Sequence, residues 1–364
     1  MALVTLPLQV AVQVMCGRLG AVTGHGLAHE IRLRYPRWVL WATCALLAVA
    51  NVTNLGADLG GMAEAAGMVT GVSALVLTPV FAGAIVALLM WSSYRSIARL
   101  FKWLTLVLFA YVAAAFFAHP DWRAVLEATF VPRLIFSKEY LSVLVAVLGT
   151  TISPYLFVWQ AAQEVEEHRG EPRKKGAVPH GLHTDTIVGM GYSNAIMYFI
   201  ILATGATLHA HGNTHVETAR QAAEALLPAA GHAAYLLFAL GLIGTGMLGV
   251  PVLAGSCGYA FAEAAAWRGQ LDATPRRAPY FYAVIVAATA AGLVLNFTKI
   301  SAVRMMFLSA VINGVLAPPL ILLVILLTSS RKVMGTAVST PVLRGLGWAT
   351  FVFMTVAAVA LLVV

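Results

Sequence analysis

The chain has 364 residues, of which 60% are hydrophobic and only 10% are charged. A water-soluble domain carries about a quarter charged residues, so this composition excludes a soluble enzyme or binding module and gives a polytopic membrane protein. The net charge of +8 does not point to nucleic acid, because the basic residues sit in short loops between apolar runs.

In chain order the apolar runs number about ten: 2–17, 38–57, 68–91, 103–118, 141–161, 186–208, 232–262, 280–297, 302–328 and 342–364. No linker or low-complexity stretch divides them, so a single transmembrane domain over 1–364 is expected. If every run crosses, the loops alternate sides. One side collects Arg18, Arg32, Arg34, Arg37, Arg95, Arg99, Lys102, Arg169, Arg173, Lys174, Lys175, Arg268, Arg276, Arg277, Arg331, Lys332 and Arg344. The other has Arg123, Arg133, Lys138, Arg220, Lys299 and Arg304. The crowded side is cytoplasmic, which sets a multi-pass protein in the bilayer of the inner (plasma) membrane. The same alternation puts Met1 outside, with no basic residue before the first run and no cleavage site of a signal peptide. Either the first run inserts with its N-terminus outside or a preceding helix has been lost; the loss is the expected reading.

Cys16, Cys44 and Cys257 are isolated within apolar segments. They imply neither a disulfide framework nor a zinc site. The helix after Arg37 carries NVTNLGADLGG at 51–61. Asp58 there is an acid at membrane depth, which is either a functional group or a structural aspartate bonded to a neighbouring helix.

The run from Leu141 leads into GTTISPYLFVWQAAQEVEE at 149–167. Thr150, Thr151 and Ser153 place three hydroxyls side by side, and Pro154 has no N–H for the carbonyl of Thr150. In hydrocarbon such groups must be satisfied by protein, water or a ligand. One reading is a proline kink patched by Ser and Thr side chains. The other is a broken helix whose freed oxygens hold a cation near the midplane, and it is the one expected here. Glu164, Glu166 and Glu167 then end the segment, as a cation exit or as a hydrated helix end.

The remaining features read more plainly. Asp185 opens the next helix as a partner of its N-terminal dipole. His209, His211 and His215 form HAHGNTH, a solvated external loop with no acidic or cysteine partner fixed nearby. Gly241, Gly244, Gly246 and Gly249 lack a following GK[ST] and so form no phosphate loop; they let helices approach closely, with Pro251 as a kink.

Three segments carry a resemblance. CGRLGAVTGHGLAHEIRLRYP at 16–36, GTTISPYLF from 149, and residues 305–335 ending in SSRKVMG resemble successive segments of the NRAMP (natural resistance-associated macrophage protein) family of divalent metal transporters. The resembled patterns are ARLG-x-x-TG-x-x-LA with a basic YP, GATVMPHNL of the sixth helix, and the SDRK-x-MG loop after the tenth. The chain resembles a divergent bacterial-type member from Met1 to Val364. The resemblance implies an all-α, LeuT-type inverted-repeat fold, in which the family has eleven helices and this chain about ten. It also implies that the helix bearing the family's Asp-Pro-Gly-Asn motif is the one absent, since that motif occurs nowhere in the sequence, and that the chain as written transports poorly.

Matched position by position, the resemblance makes Thr150 the donor of a metal-binding backbone carbonyl. Ser153 stands where the family has its methionine ligand and Tyr155 where it has histidine. Ala310 stands at the glutamine ligand, and Asn313 is a new amide beside it. These hydroxyl, carbonyl and amide oxygens are hard ligands suited to Mg²⁺ or Mn²⁺, whereas a thioether would favour softer ions. Asp58 matches an aspartate of the family's proton pathway, but Gly61 replaces its glutamate, so metal movement without stoichiometric proton movement is expected. The divalent metal ion is then the substrate, and no cofactor is implied. The alternatives are a transporter of an organic substrate such as an amino acid on the same fold, or a truncated non-transporting homologue. An amino-acid carrier would offer N–H groups to a carboxylate, whereas this break offers oxygens. No nucleophile–base constellation of an enzyme is present, and the sequence leaves the oligomeric state open.

Overall fold

In a computed structural model the chain is built from helices, and the structure describes residues 2–91, 105–131, 137–167, 178–179, 181–208, 216, 218–271, 273–298 and 300–363. Arg95, Arg99, Lys102, Arg133, Arg169, Arg173, Lys174, Lys175, His209, His211, His215 and Lys299 lie outside the described residues. The helices are α1 (Ala2–Thr23), α2 (Leu27–Arg34), α3 (Arg37–Thr70), α4 (Ala74–Trp91), α5 (Phe109–Phe117), α6 (Trp122–Phe130) and α7 (Lys138–Thr151). They continue as α8 (Pro154–Glu167), α9 (Leu182–Thr207), α10 (Ala219–Glu224), α11 (Ala234–Ala265), α12 (Pro279–Leu295), α13 (Ala302–Ser329) and α14 (Pro341–Val363).

Among the described residues eight spans are long and apolar enough to cross a membrane, with α7 and α8 together forming one of them. Two shorter apolar helices, Leu106–Phe117 and Pro279–Leu295, bring the set into register with the ten runs of the sequence. The boundaries differ in two instructive places. The run expected to stop at residue 17 continues to Thr23, because Arg18 is not a loop residue. It is buried and donates to the carbonyls of Ala337 and Val338, at 2.9 and 3.3 Å. The stretch between the second and third runs is also helical, since α3 passes unbroken through NVTNLGADLGG to Thr70. The chain turns only at Gly71, whose φ of +75° favours a residue without Cβ.

Helices in a bilayer gain little from burying apolar surface against each other, because lipid is equally apolar. Close packing through small residues supplies the contact instead. Three crossings illustrate it. A Cβ on Gly20 of α1 would overlap the backbone of Ala161 in α8. One on Gly292 of α12 would meet Leu55 Cβ at 2.7 Å in α3. A Cβ on Gly149 of α7 would overlap the carbonyl of Ala310 and the backbone of Gly314 in α13. Gly314 in turn faces the Val145 carbonyl. These contacts join α1 to α8, α12 to α3 and α7 to α13, and α13 and α11 both lie along α3. Phe157, Phe281, Met15 and Leu19 fill the spaces left between the small-residue crossings. Cys16, Cys44 and Cys257 are free and buried within this packing.

Candidate functional site

The span 138–167 is interrupted. α7 ends at Thr151, Ile152 leaves the helical region with ψ 64°, and α8 starts at Pro154. Pro154 cannot donate to the Thr150 carbonyl, and that oxygen is reached instead by the Ser153 hydroxyl at 3.1 Å. The same hydroxyl lies 2.7 Å from the Gly149 carbonyl. Thr151 turns its hydroxyl back to Val147 O at 2.8 Å. Side-chain hydroxyls therefore patch the break in this structure. Each hydroxyl oxygen keeps its lone pairs when it donates, so Ser153 still offers an acceptor to a cation. Ser153 and Pro154 are buried, whereas the Thr150 side chain is exposed. What Thr150 offers inside the protein is its carbonyl.

Tyr155 is half-buried on the first turn of α8. It interacts with the Ser153 side chain and lies within electrostatic reach of Asp58. Asp58 comes from α3, where Gly249 of α11 makes room for it: a Cβ there would sit 3.2 Å from Oδ2. Among the described residues no salt bridge reaches this carboxylate, the ion pairs being those of Glu30 with His25 and Arg34. The structure thus brings Asp58, Ser153 and Tyr155 together.

Asn313 lies on α13, which packs against α7 through Gly314. It is buried, with 2% of its surface exposed, and its Oδ1 has no hydrogen-bond partner. A buried amide oxygen without a donor is costly, by about 1–3 kcal/mol, and is the kind of group that a bound cation satisfies. Asn313 precedes Gly314, which packs on α7 one turn before the break. Ala310 turns its carbonyl to Gly149 and offers no side-chain ligand.

Farther along α3 and α11, sequence reasoning missed a second polar contact. Asn51 donates to Leu253 O at 3.0 Å and to the Ser256 hydroxyl at 2.7 Å. Both partners lie on α11, so this bond fixes the helix pair that carries Asp58 and Gly249. The NVTN motif pointed to Asn51, but nothing in the sequence named its partner two hundred residues away.

The ends of α8 and α11 and the start of α2 are tied by carboxylates that accept from backbone N–H groups. Glu263 at the end of α11 accepts from His29 N at 3.1 Å and so caps the N-terminus of α2. Gly26 is required beside it, because a Cβ there would overlap the Glu263 carboxylate. His29 itself is held at about 4, first by burial and then by the nearby charges of His25, Arg32 and Arg34. Glu166 accepts from Leu271 N at 2.9 Å, and Glu164 is buried and bonded to Gln160 at 3.1 Å. These two glutamates are structural ties and not a hydrated helix end. Among the described residues no group of three or more His, Cys, Asp or Glu side chains is arranged to hold a metal ion.

The family model described as Nramp, natural resistance-associated macrophage protein-like, matches residues 1–364. The chain belongs to the Nramp family. It is 29% identical over 349 residues to the divalent metal cation transporter MntH of Klebsiella pneumoniae, covering 93% of this chain and 79% of that one. It is also 29% identical over 356 residues to MntH of Aeromonas hydrophila, with 92% and 80% covered. Among solved structures it is similar to the manganese transporter of Eremococcus coleocola, at a TM-score of 0.74 and 16% identity, over 98% of this chain and 78% of that one. The fold is therefore the all-α, LeuT-type fold of Nramp transporters. Within that fold the interrupted span α7–α8, α3 with Asp58 and α13 with Asn313 are the elements that meet around the candidate site.

Proposed function

We infer that this protein carries a divalent metal cation across a membrane, as an Nramp transporter acting in the bacterial inner (plasma) membrane with residues 1–364 forming one transporter domain. The observation that carries this reading is the juxtaposition at the break. The Ser153 hydroxyl reaches the Thr150 carbonyl at 3.1 Å. Tyr155 interacts with Ser153 and lies within electrostatic reach of Asp58, which has no salt bridge among the described residues. On α13 the buried Asn313 Oδ1 has no hydrogen-bond partner. Oxygens of this kind replace water around a hard cation, and Asp58 offsets part of its charge within a low-dielectric interior.

The ligand set that we propose is the Thr150 carbonyl, the Ser153 hydroxyl, Tyr155 and Asn313 Oδ1, with Asp58 near the ion and Pro154 as the residue that opens the helix. It contains no sulfur. Such a site suits Mg²⁺ or Mn²⁺, which take oxygen ligands, and gives Cd²⁺ no soft partner. Iron in its divalent form falls in the same broad class of substrate. An amino-acid carrier remains the competing reading, and it lacks support because the break presents acceptors where a substrate carboxylate needs donors.

Uptake of labelled Mn²⁺ by cells expressing the protein tests the site. Asp58→Asn and Asn313→Ala are each expected to reduce uptake by about tenfold or more, the equivalent of losing one good ligand. Undiminished uptake in both variants, or saturable uptake of an amino acid that Mn²⁺ does not inhibit, overturns the assignment.

A further inference from the structure

A cleft of about 420 Å³ opens between the end of α13 and the start of α14, away from the break and on the side of the basic loops. Its polar end is formed by Ser329, Ser330 and Arg344, and its apolar end by Ile325, Leu326 and Trp348. The Ser329 hydroxyl is enclosed and has no hydrogen-bond partner. Arg344 is exposed, and among the described residues no carboxylate pairs with it. The cleft therefore has cationic and hydroxyl donors at one end and no acid to receive them.

The apolar end gives the second half of the chemistry. Arg344, Trp348, Val352 and Val359 share one face of α14, and the last three expose 43%, 53% and 52% of their surface. Leu326 of α13, 42% exposed, borders the same strip. A cationic residue at the cytoplasmic end, an aromatic ring at the interface, and aliphatic side chains beyond it follow the profile of one leaflet. A soluble anion would use the donors alone. An amphiphile uses both.

We propose that this cleft is a binding site for an anionic phospholipid of the cytoplasmic leaflet. Its phosphate accepts from Arg344 and from the hydroxyl of Ser330, and one acyl chain lies along Trp348, Val352 and Val359. Basic pockets between transmembrane helices on the cytoplasmic side bind anionic headgroups in this way. The lipid would bridge α13, which carries Asn313, to α14.

The test is native mass spectrometry of the full chain released from nanodiscs of equimolar palmitoyl-oleoyl phosphatidylglycerol and phosphatidylcholine. The wild-type protein is expected to retain phosphatidylglycerol in preference, and Arg344→Gln to reduce that preference about fivefold, the effect of one basic residue at a membrane surface. Ser330→Ala is expected to reduce it as well, while Arg331→Gln, outside the cleft, leaves it intact. Equal retention in wild type and Arg344→Gln overturns the proposal. So does an equal loss in Arg331→Gln, which would make the preference a general surface charge effect. A third arm adds inorganic phosphate and glycerol 3-phosphate at millimolar concentration. Displacement of the retained lipid by either one would assign the cleft to a soluble anion and overturn the lipid reading.

Discussion

At the scale of single residues, the proposed cation site depends on groups without their ordinary partners among the described residues. Among the described residues Asp58 has no counter-cation and Asn313 Oδ1 has no donor, whereas Ser153 turns its proton to the Gly149 carbonyl and to the Thr150 carbonyl that Pro154 leaves free. The types and positions of these residues were legible in the sequence, because Pro154 dictates which carbonyl loses its donor. The direction of the Ser153 proton was not, since it depends on the backbone path through Ile152. Neither was Glu263, a residue that looks like an ordinary charged helix end until α2 is folded against it. His29, bonded to Glu263 through its backbone N–H, yields a prediction on pH. Its folded value near 4 lies below the ordinary histidine value of about 6.5, so the unfolded chain binds the proton more readily. The neutral ring's contribution to stability is thus fully present above pH 6.5 and is lost as pH falls from there towards 4. Thermal unfolding in detergent is expected to show a shallower acid slope in this window for His29→Asn than for wild type. An identical slope would show that His29 does not titrate as described.

At the scale of elements, the interrupted span is held in place by glycine contacts more than by polar bonds. Gly149 and Gly314 let α7 and α13 approach until backbone touches backbone, and this contact brings the helix that carries Asn313 against the segment that ends at the break. Gly149→Ala puts a methyl group where the Ala310 carbonyl lies, and overpacking of this kind costs about 1–3 kcal/mol. The melting temperature of the detergent-solubilised variant is expected to fall and Mn²⁺ uptake to fall with it. Gly83, with open space around it, is the control, and Gly83→Ala should leave both unchanged. Element boundaries were partly hidden in the sequence. The run read as 38–57 stops short, yet α3 continues to Thr70, where Asn51 finds Ser256 and Leu253 on α11 and Asp58 fits against Gly249. A polar residue inside the bundle is satisfied by a helix distant in sequence, and a one-dimensional hydropathy pattern cannot contain that information.

At the scale of the whole molecule, the number and order of the spans were legible because twenty or so apolar residues in a row have few other fates. The ten runs correspond to eight long spans and two shorter apolar helices among the described residues. The assembly of α3, α7, α8 and α13 around one break was legible only through resemblance to the Nramp family. Ion coupling belongs to this scale too. Gly61 and Tyr155 stand in α3 and α8 where neither carries a proton readily, so metal is expected to enter without stoichiometric protons. Simultaneous recording of internal acidification and metal entry decides it. Proton entry that rises with metal entry and disappears in Asp58→Asn would show that Asp58 alone suffices for coupling.

The central claim is that an oxygen-only site at the helix break selects the ion, and Ser153→Met tests it most directly. Methionine at this position adds a thioether and bulk next to Thr150 and Tyr155, favouring soft ions and removing room for retained water. Competition by Cd²⁺ and by Mg²⁺ against Mn²⁺ uptake is measured in wild type and variant under the same conditions. Cd²⁺ is predicted to compete more strongly in Ser153→Met than in wild type, and Mg²⁺ more weakly. If neither competition changes, or if the wild-type protein already takes Cd²⁺ far more tightly than Mn²⁺, Ser153 does not face the ion and the site lies elsewhere.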